Sequence, residues 1–214
     1  MIKAVIFDMN GIVIDDEHIH ELAFKETVKT FSIDLSHQDY LECCVGKTDK
    51  AGYESISEKF STSFPVSKLL KDKAGFYLKL FPEHKKTYPG VIELISNLAK
   101  NYTLALTSSS SRAEVNLITK EYAINKHFKI TISADEVRKG KPDPEPYLIT
   151  CNLLKLKPQE CIVIEDSESG VLSAKAAGCF CIGITTTHSE NNLEGADIIT
   201  DSFDKVETLI SNLE

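Results

Sequence analysis

Short apolar runs recur along the chain, and several end in a polar residue that can carry chemistry. The runs and the residues that follow them are 4–7 before Asp8, 104–106 before Thr107 and Ser108, 162–164 before Glu165 and Asp166, and 179–184. They are apolar at consecutive positions and partly β-branched, which is typical of strands buried on both faces of a parallel sheet. The pattern therefore predicts four buried parallel strands.

Between these runs, apolar residues follow helical spacing. Segments 89–98, 112–122, 146–154 and 169–177 place apolar residues three and four positions apart. Gly178 follows the last segment, where glycine is a favoured C-terminal cap. The alternation of strands and helices from about residue 88 onward predicts an α/β fold with a doubly wound parallel sheet.

Residues 16–84 have a different pattern. Their apolar positions keep helical spacing, as in Leu22, Phe24 and Val28, and no segment has the alternation or apolar density of a strand. We therefore expect a small helical domain inserted after the first strand. The predicted boundaries are 1–15 with 85–214 for the α/β core and 16–84 for the helical cap.

Composition narrows the class of protein. The chain has 214 residues, 24 basic against 32 acidic side chains, a net charge of −8 and 42% hydrophobic residues, which predicts a folded protein and argues against general binding to nucleic acid or anionic membranes. No signal peptide or run of about 18 apolar residues is evident. Six cysteines without C-x-x-C spacing predict free thiols in a reducing compartment. We expect a cytoplasmic monomer.

The polar residues after the predicted strands define a candidate site. Because the carboxyl ends of parallel strands meet at one edge of a sheet, and ligands bind there, we expect Asp8, Ser108, Glu165 and Asp166 to converge. Carboxylate oxygens are ligands that Mg²⁺ prefers. The clustering indicates a site for a divalent cation and a phosphate group.

Four segments resemble the motifs of haloacid dehalogenase-superfamily phosphotransferases. FDMNGIVIDDE at 7–17 is similar to the first motif, whose usual form is Asp-x-Asp-Gly-x-hydrophobic. Ser108 after LALT matches the second motif, Lys141 in KGKPDPEPY the third, and Glu165 with Asp166 in IVIEDSESGVLSAKAAG the fourth. Their order and spacing match over essentially the whole chain, and the greatest similarity is to the β-phosphoglucomutase-like branch of sugar-phosphate and polyol-phosphate phosphatases. The resemblance implies a Rossmann-like core with a helical cap that opens and closes over the cleft.

The resemblance also implies roles for individual residues. Asp8 would be the nucleophile that forms an aspartyl-phosphate, which divides one difficult displacement into two easier ones. The residues implied for Mg²⁺ are Asp8, the Asn10 carbonyl, Glu165 and Asp166. Those implied for the phosphoryl group are Asp8, Met9, Asn10, Ser108, Ser109 and Lys141, with Thr107 as the nearest competitor of Ser108. The expected activity is Mg²⁺-dependent hydrolysis of a small phosphomonoester. The alternative of metal-free dehalogenation is disfavoured by the acidic pair Glu165 and Asp166.

Position 10 departs from the family pattern, because it is Asn where the second motif acid is expected. An amide has no carboxyl proton to exchange with a leaving group or an attacking water. General acid–base catalysis is typically worth about 10²–10⁴-fold, so we expect slow turnover. Asn10 could be an engineered trap, a natural feature of a specialised member, a site that deamidates to Asp beside Gly11, or a neutral change in an active enzyme. If it is native, a phosphate-binding protein without turnover is a further alternative.

The cap bears on the substrate. In the mutase branch a Gly-x-Ser-Arg segment binds a distal phosphate, and here the matching segment runs from Gly46 through Lys47 and Asp49 to Lys50, with acid in the arginine's place. Lys47 or Lys50 can replace the arginine only as point charges, so this segment favours a phosphatase over a mutase. A solvated turn is the alternative.

Two further groups of cap residues are charged. His20 matches a histidine near the active-site entrance of the branch, and the alternatives are a substrate or hinge role and a plain surface or packing role. The acids in segment 15–20 are expected to mark a hinge at a helix N-terminus rather than a second metal site. Lys71, Lys73 and Lys79 are predicted to form a solvated helix face.

Overall fold

A computed structural model of the protein describes residues 1–45 and 47–213. Within them the strands are β1 Ala4–Phe7, β2 Thr103–Thr107, β3 Phe128–Ile132, β4 Cys161–Glu165, β5 Phe180–Ile184 and β6 Ile198–Thr200. The α-helices in the same residues are α1 Glu17–Lys29, α2 His37–Cys43, α3 Asp49–Lys59, α4 Val66–His84, α5 Val91–Leu98, α6 Arg112–Glu121, α7 Glu145–Leu154, α8 Glu168–Ala177 and α9 Phe203–Ser211.

The chain divides into two compact units. The first, here called the sheet unit, consists of Met1–Asp15 together with the chain from Lys86 onward. The second, here called the helical unit, is Asp16–Lys85 and contains α1 to α4. The motif residues Asp8, Ser108, Lys141, Glu165 and Asp166 therefore all belong to the sheet unit.

The sheet unit is built on one parallel sheet. Among the described residues its strand order is β3-β2-β1-β4-β5-β6, with every neighbouring pair parallel. Every residue of β1 and of β4 is buried, as expected for apolar strands covered on both faces. Phe7 pairs with Leu106 on one side and Ile164 on the other, so the residues after these three strands begin at the same level. The predicted doubly wound α/β fold is confirmed.

The predicted elements of the sheet unit agree with the structure to within two residues at each end. Gly178 takes the left-handed conformation at φ 87° after α8, as its place after an Ala-rich helix predicts. Two strands were missing from the prediction. β3 contains the exposed Lys129, and β6 has only three residues, so neither shows a continuous apolar run. Both lie at the sheet edges, where one-sided burial and short length weaken the sequence signal.

The sheet unit's core includes a group of thiols. Cys151, Cys161, Cys179 and Cys181 are buried with Tyr147, Val163 and Val171 and with other apolar residues of the helices and strands. All six cysteines of the chain are free. None of the described helices combines the length and hydropathy needed to cross a membrane.

The helical unit has its own core and corrects one prediction. Lys73 was expected on a solvated face, but only 3% of its side chain is exposed, whereas Lys71 and Lys79 are exposed as predicted. In α4, Lys73 lies four residues from both Leu69 and Tyr77, which are buried, so helical geometry places it on the buried face. Its position in the apolar stripe was the signal that the prediction overlooked.

The buried Lys73 is fully partnered inside the helical unit. Its Nζ lies 2.8 and 2.7 Å from the two carboxylate oxygens of Asp49 and 2.8 Å from Nδ1 of His20. It also lies 5.2 Å from the centre of the Phe24 ring. His20 was a candidate for contact with the substrate, and Asp49 stands in the place of the arginine of the mutase branch. Both residues bind Lys73.

Candidate active site

Asp8 lies at the carboxyl end of β1. The backbone continues the sheet by one bond, since the Asp8 N–H donates to the Ile164 carbonyl at 3.0 Å. The chain then turns sharply, with the amides of Val13 and Ile14 donating to the Met9 carbonyl. The turn leaves the Asp8 side chain at the sheet edge, where only 9% of it is exposed.

Lys141 joins two of the motif acids. Its Nζ lies 2.5 Å from Oδ1 of Asp8 and 2.6 Å from Oε1 of Glu165, and it lies 5.1 Å from the centre of the Tyr147 ring. Lys141 precedes α7 in a loop, yet its side chain is 6% exposed. The third-motif lysine therefore reaches the same point as the first and fourth motifs.

Glu165 is held at the start of α8. Its Oε2 accepts hydrogen bonds from the amides of Asp166 and Ser167 at 3.0 and 3.2 Å, while its Oε1 accepts from Tyr147 at 2.7 Å. A Cβ on Gly170 would lie 1.9 Å from this carboxylate, so only glycine leaves room for it there. The N-terminus of a helix favours negative charge, which suits a buried glutamate.

Asp166 packs against the turn after β1. Gly11 has φ +77°, and a Cβ on it would lie 2.0 Å from Oδ2 of Asp166. The same carboxylate accepts a hydrogen bond from the hydroxyl of Thr187, in the loop after β5. Glycine at position 11 therefore serves both the left-handed turn and the close approach of the acid.

Asn10 faces the serines that follow β2. Its Oδ1 accepts hydrogen bonds from Ser108 at 3.1 Å and from Ser110 at 2.8 Å. Thr107, the competitor of Ser108, is fully buried, and its hydroxyl hydrogen-bonds to that of Thr150 at 2.7 Å. Ser108 and Ser110, and not Thr107, thus place their hydroxyls beside Asn10 of the first motif.

Burial and excess negative charge shift the pKa values of the acids. Burial raises the pKa of Asp8 to about 7, and the charge of Glu165 adds to the rise while Lys141 opposes it. Burial and the charges of Glu165 and Asp8 raise the pKa of Asp166 well above its ordinary value. Burial alone would raise the pKa of Glu165, but the charge and hydrogen bond of Lys141 hold it below its usual range. Two of the three carboxyls thus resist ionisation.

The three carboxylates fit a divalent cation. Asp8, Glu165 and Asp166 are buried, and each offers a ligand oxygen within 4.8 Å of the others. One lysine faces these three acids, so ionisation of all of them leaves two negative charges in excess. The two positive charges of Mg²⁺ would balance this excess, and the ion prefers oxygen ligands. The donor set and the charge balance both match this ion.

The structure places the other predicted site residues as follows. The side chain of Met9 is fully buried, and Ser109 is exposed between Ser108 and Ser110. His20, Lys47 and Lys50 belong to the helical unit, where Lys47 contacts the Glu42 carbonyl and the Ser55 hydroxyl. Gly46 lies outside the described residues.

Several residues that contact the site acids, Asn10 or Gly11 were not predicted from the sequence, among them Ser110, Tyr147, Ser167, Thr186 and Thr187. The threonines had a usable signal, since they follow the predicted strand 179–184 at the same edge as the other motifs. Ser110 lay within a run of serines. Tyr147 lies in the apolar pattern of a helix, which gives no sign that its hydroxyl reaches an acid.

The sheet unit carries an aspartate, a lysine and an acidic pair at the carboxyl edge of a parallel α/β sheet. This is the arrangement that the motifs predict for a hydrolase. A family model described as haloacid dehalogenase-like hydrolase matches residues 5–184. The chain belongs to this family, and its relatives place it in the β-phosphoglucomutase-like branch.

Characterised relatives span nearly the whole chain. It is 28% identical over 207 residues to validoxylamine A 7'-phosphate phosphatase of Streptomyces hygroscopicus subsp. limoneus, covering 96% of each chain. It is 31% identical over 191 residues to β-phosphoglucomutase of Bacillus subtilis, covering 85% of this chain and 83% of that one. Among solved structures, CbbY from Rhodobacter sphaeroides in complex with phosphate has a TM-score of 0.83 at 26% identity, with 96% of each chain covered.

Proposed function

We propose that the protein hydrolyses small phosphomonoesters, such as sugar or polyol phosphates, through a phosphorylated Asp8 and with Mg²⁺. Its family and the relatives named as phosphatases support a phosphoric monoester hydrolase. The observation that carries the finer proposal is the contact of Asp8 with Lys141 at the sheet edge, beside the buried acids Glu165 and Asp166.

In the proposed first step, a carboxylate oxygen of Asp8 attacks the phosphorus atom. An O–P bond forms to Asp8 as the ester O–P bond breaks, and the leaving alkoxide oxygen takes a proton from solvent water. In the second step, water attacks the same phosphorus and loses a proton to solvent as the O–P bond to Asp8 breaks, so that inorganic phosphate leaves and the Asp8 carboxylate is restored. A covalent intermediate replaces one difficult displacement with two easier ones.

The neighbours of Asp8 suit this chemistry. Lys141 supplies positive charge where a phosphoryl group and a carboxylate meet, and Ser108 supplies a hydroxyl to the phosphoryl oxygens. The residues that would hold Mg²⁺ are Asp8, the Asn10 carbonyl, Glu165 and Asp166. When bound, the ion supplies charge neutralisation between the attacking and attacked anions.

We further propose that Asn10 slows the reaction. Its side chain lies beside Ser108 and Ser110, near Asp8, where the family pattern has a general acid. An amide cannot protonate the leaving alcohol or deprotonate the attacking water. We therefore expect the alcohol to leave in the first step, and water to attack in the second, without an acid or a base supplied by position 10.

The names of the relatives support the substrate class. They include a phosphorylated carbohydrates phosphatase of Thermotoga maritima, to which the chain is 30% identical over 177 residues, and hexitol phosphatase A of Escherichia coli, to which it is 28% identical over 213 residues. A carbon chain with several hydroxyls is the shared chemistry. The monomeric state and cytoplasmic location expected from the sequence remain predictions, which gel filtration and cell fractionation would test.

A phosphosugar mutase is the second candidate, because β-phosphoglucomutase of Bacillus subtilis is a relative at 31% identity. A mutase needs a second phosphate site in the cap. Asp49 occupies the place of the expected arginine and pairs with Lys73, which disfavours that site. A mutase would show isomerase activity that depends on a sugar bisphosphate activator, and a phosphatase would not.

The test of the proposal is intact-protein mass spectrometry after mixing with Mg²⁺ and an aryl phosphate. An aryl leaving group needs little protonation, so Asp8 can be phosphorylated even with Asn at position 10. We expect a phosphoryl adduct that persists in this protein and disappears rapidly in Asn10→Asp. Asp8→Asn is the matched control and should form no adduct.

Two outcomes would decide against the proposal. An adduct of the same yield in Asp8→Asn would remove Asp8 as the nucleophile. The absence of any adduct, together with no turnover of a phosphoester panel by Asn10→Asp, would instead favour a phosphate-binding protein without catalysis.

A further inference from the structure

Two successive threonines in the loop after β5 contact two parts of the candidate metal site. The hydroxyl of Thr187 donates a hydrogen bond to Oδ2 of Asp166. The hydroxyl of Thr186 donates to the carbonyl of Gly11 at 2.6 Å. Neither threonine carries a charge, and neither belongs to the four motifs. Adjacent residues thus hold an acid of the fourth motif and the backbone of the first.

The Gly11 contact controls the orientation of a peptide group. The Gly11 N–H donates to the Ile14 carbonyl at 2.9 Å, while its own carbonyl accepts from Thr186. Gly11 is therefore held on both sides. The Ile14 carbonyl fixes the Asn10–Gly11 peptide, whose plane contains the Asn10 carbonyl, while Thr186 fixes the Gly11–Ile12 peptide that follows it.

The loop that carries the threonines is itself anchored. The amide of Thr185 donates to the Thr200 carbonyl at 3.0 Å, and the amide of Thr186 donates to the Ile184 carbonyl at 2.9 Å. Both acceptors lie in strands of the sheet. The hydroxyls of Thr186 and Thr187 are therefore presented from a backbone held by β5 and β6.

We propose that Thr186 and Thr187 are positioning residues of the metal site. Thr187 fixes the rotation of the Asp166 carboxylate by donating a hydrogen bond to Oδ2, and the other oxygen, Oδ1, remains as a ligand for a cation. Thr186 fixes the Gly11–Ile12 peptide through the Gly11 carbonyl, and so limits rotation of the Gly11 backbone that packs against the same carboxylate. This inference rests on the proposed function, because it assumes that these acids bind a divalent ion. Hydrogen-bond partners of metal ligands typically contribute 10–100-fold to metal affinity.

The experiment measures affinity for Mn²⁺, a paramagnetic substitute for Mg²⁺, by the loss of the free-ion electron paramagnetic resonance signal on titration of the whole protein. Thr187→Val removes the hydroxyl and keeps the shape, and we expect it to weaken binding about 10-fold. Thr187→Ser restores the donor and should bind close to the original protein. Thr186→Val should weaken binding to a smaller extent.

Thr185→Val is the matched control, since Thr185 is the neighbouring threonine and holds the loop through its backbone amide. It should leave Mn²⁺ affinity unchanged. Thermal unfolding without metal checks that each variant is folded, and Thr187→Ala serves as a second hydroxyl deletion if valine disturbs packing.

The outcomes separate this inference from the proposed function. If the original protein binds Mn²⁺ and Thr187→Val and Thr187→Ala bind it equally well, the positioning role is wrong while the metal site stands. If the original protein binds no Mn²⁺, both are wrong. An equal loss in Thr187→Ser and Thr187→Val would also contradict the role, because the serine hydroxyl should rescue it.

Discussion

Each unit of the molecule buries one lysine among polar groups, and the two environments differ in their charge. In the sheet unit, Lys141 lies between Asp8 and Glu165, whose side chains are 9% and 0% exposed. In the helical unit, Lys73 pairs with Asp49, whose side chain is 43% exposed. Lys141 thus pairs with two buried acids, whereas Lys73 pairs with an acid that remains in contact with water.

Charge balance distinguishes the binding site in the sheet unit from the structural ion pair in the helical unit. Around Lys141 a third buried acid, Asp166, leaves an excess of negative charge, and burial raises the pKa values of Asp8 and Asp166. Around Lys73 a neighbouring histidine accepts the remaining hydrogen bond, and solvent stabilises the carboxylate. The sheet unit therefore requires an additional cation or protons, whereas in the helical unit Lys73 pairs with an acid that solvent also stabilises.

The largest expected effect is on turnover in the sheet unit. Asn10→Asp restores a general acid and base beside Ser108 and Ser110, and should raise the rate of hydrolysis of alkyl phosphates by about 10²–10⁴-fold. Steady-state phosphate release measures it. Adding Asp8→Asn to that variant should remove the gain. A rate that does not change in Asn10→Asp would mean that position 10 does not exchange protons with the substrate.

Replacing each lysine by methionine tests the comparison itself. Lys141→Met leaves Asp8 and Glu165 buried without their cation, so we expect a loss of about 3 kcal/mol in the unfolding free energy without metal, partly recovered in Mg²⁺. Lys73→Met should cost about 1 kcal/mol, because Asp49 remains hydrated, and Mg²⁺ should not restore it. Urea unfolding with and without Mg²⁺ measures both. Equal losses and equal Mg²⁺ responses would show that the two environments do not differ.

The pH dependence of stability should follow Asp8. Its pKa in the folded protein is raised to about 7, above its value in the unfolded chain, so the folded state binds more protons between about pH 4 and pH 7. Stability without metal should therefore fall as pH rises through that range, and Asp8→Asn should flatten the fall. Because Mg²⁺ competes with those protons, its stabilising effect should grow with pH. Thermal unfolding across the range measures both trends, and an effect of Mg²⁺ that shrinks with rising pH would contradict the assignment.

A smaller effect is expected from two buried tyrosines. Tyr147 donates to Glu165 at 2.7 Å in the sheet unit, and Tyr77 donates to Asp16 at 2.5 Å in the helical unit. Replacing either tyrosine by phenylalanine should lower the unfolding free energy by about 2 kcal/mol, which is typical of hydrogen bonds to charged acceptors. Only Tyr147→Phe should change Mg²⁺ affinity, as measured by calorimetry. A metal response in Tyr77→Phe would remove the distinction between the units.

The sequence predicted those parts of the fold and site that leave a local pattern. The central strands β1, β2, β4 and β5 have continuous apolar runs. Asp8, Ser108, Glu165 and Asp166 could be predicted as site residues because they lie at the carboxyl ends of β1, β2 and β4. Lys141 lies in a loop, where only the resemblance to the family indicated it.

The remainder depends on contacts between distant segments. Tyr147 reaches Glu165 because the fold brings α7 to the same edge, which no local pattern encodes, whereas Thr187 could have been predicted from its place after the strand 179–184. The burial of Lys73 could have been predicted from its place between Leu69 and Tyr77 on one helix face. Its partners could not, since Asp49 and His20 lie 24 and 53 residues away along the chain.

The position of the phosphoryl group tests the central claim most directly. Protein mixed with Mg²⁺ and an aryl phosphate is quenched in acid and treated with borohydride, which reduces an aspartyl-phosphate to homoserine, and peptides are sequenced by mass spectrometry. We expect homoserine in place of Asp8 and at no other aspartate. Homoserine at another aspartate, or none in a protein that releases phosphate, would contradict it.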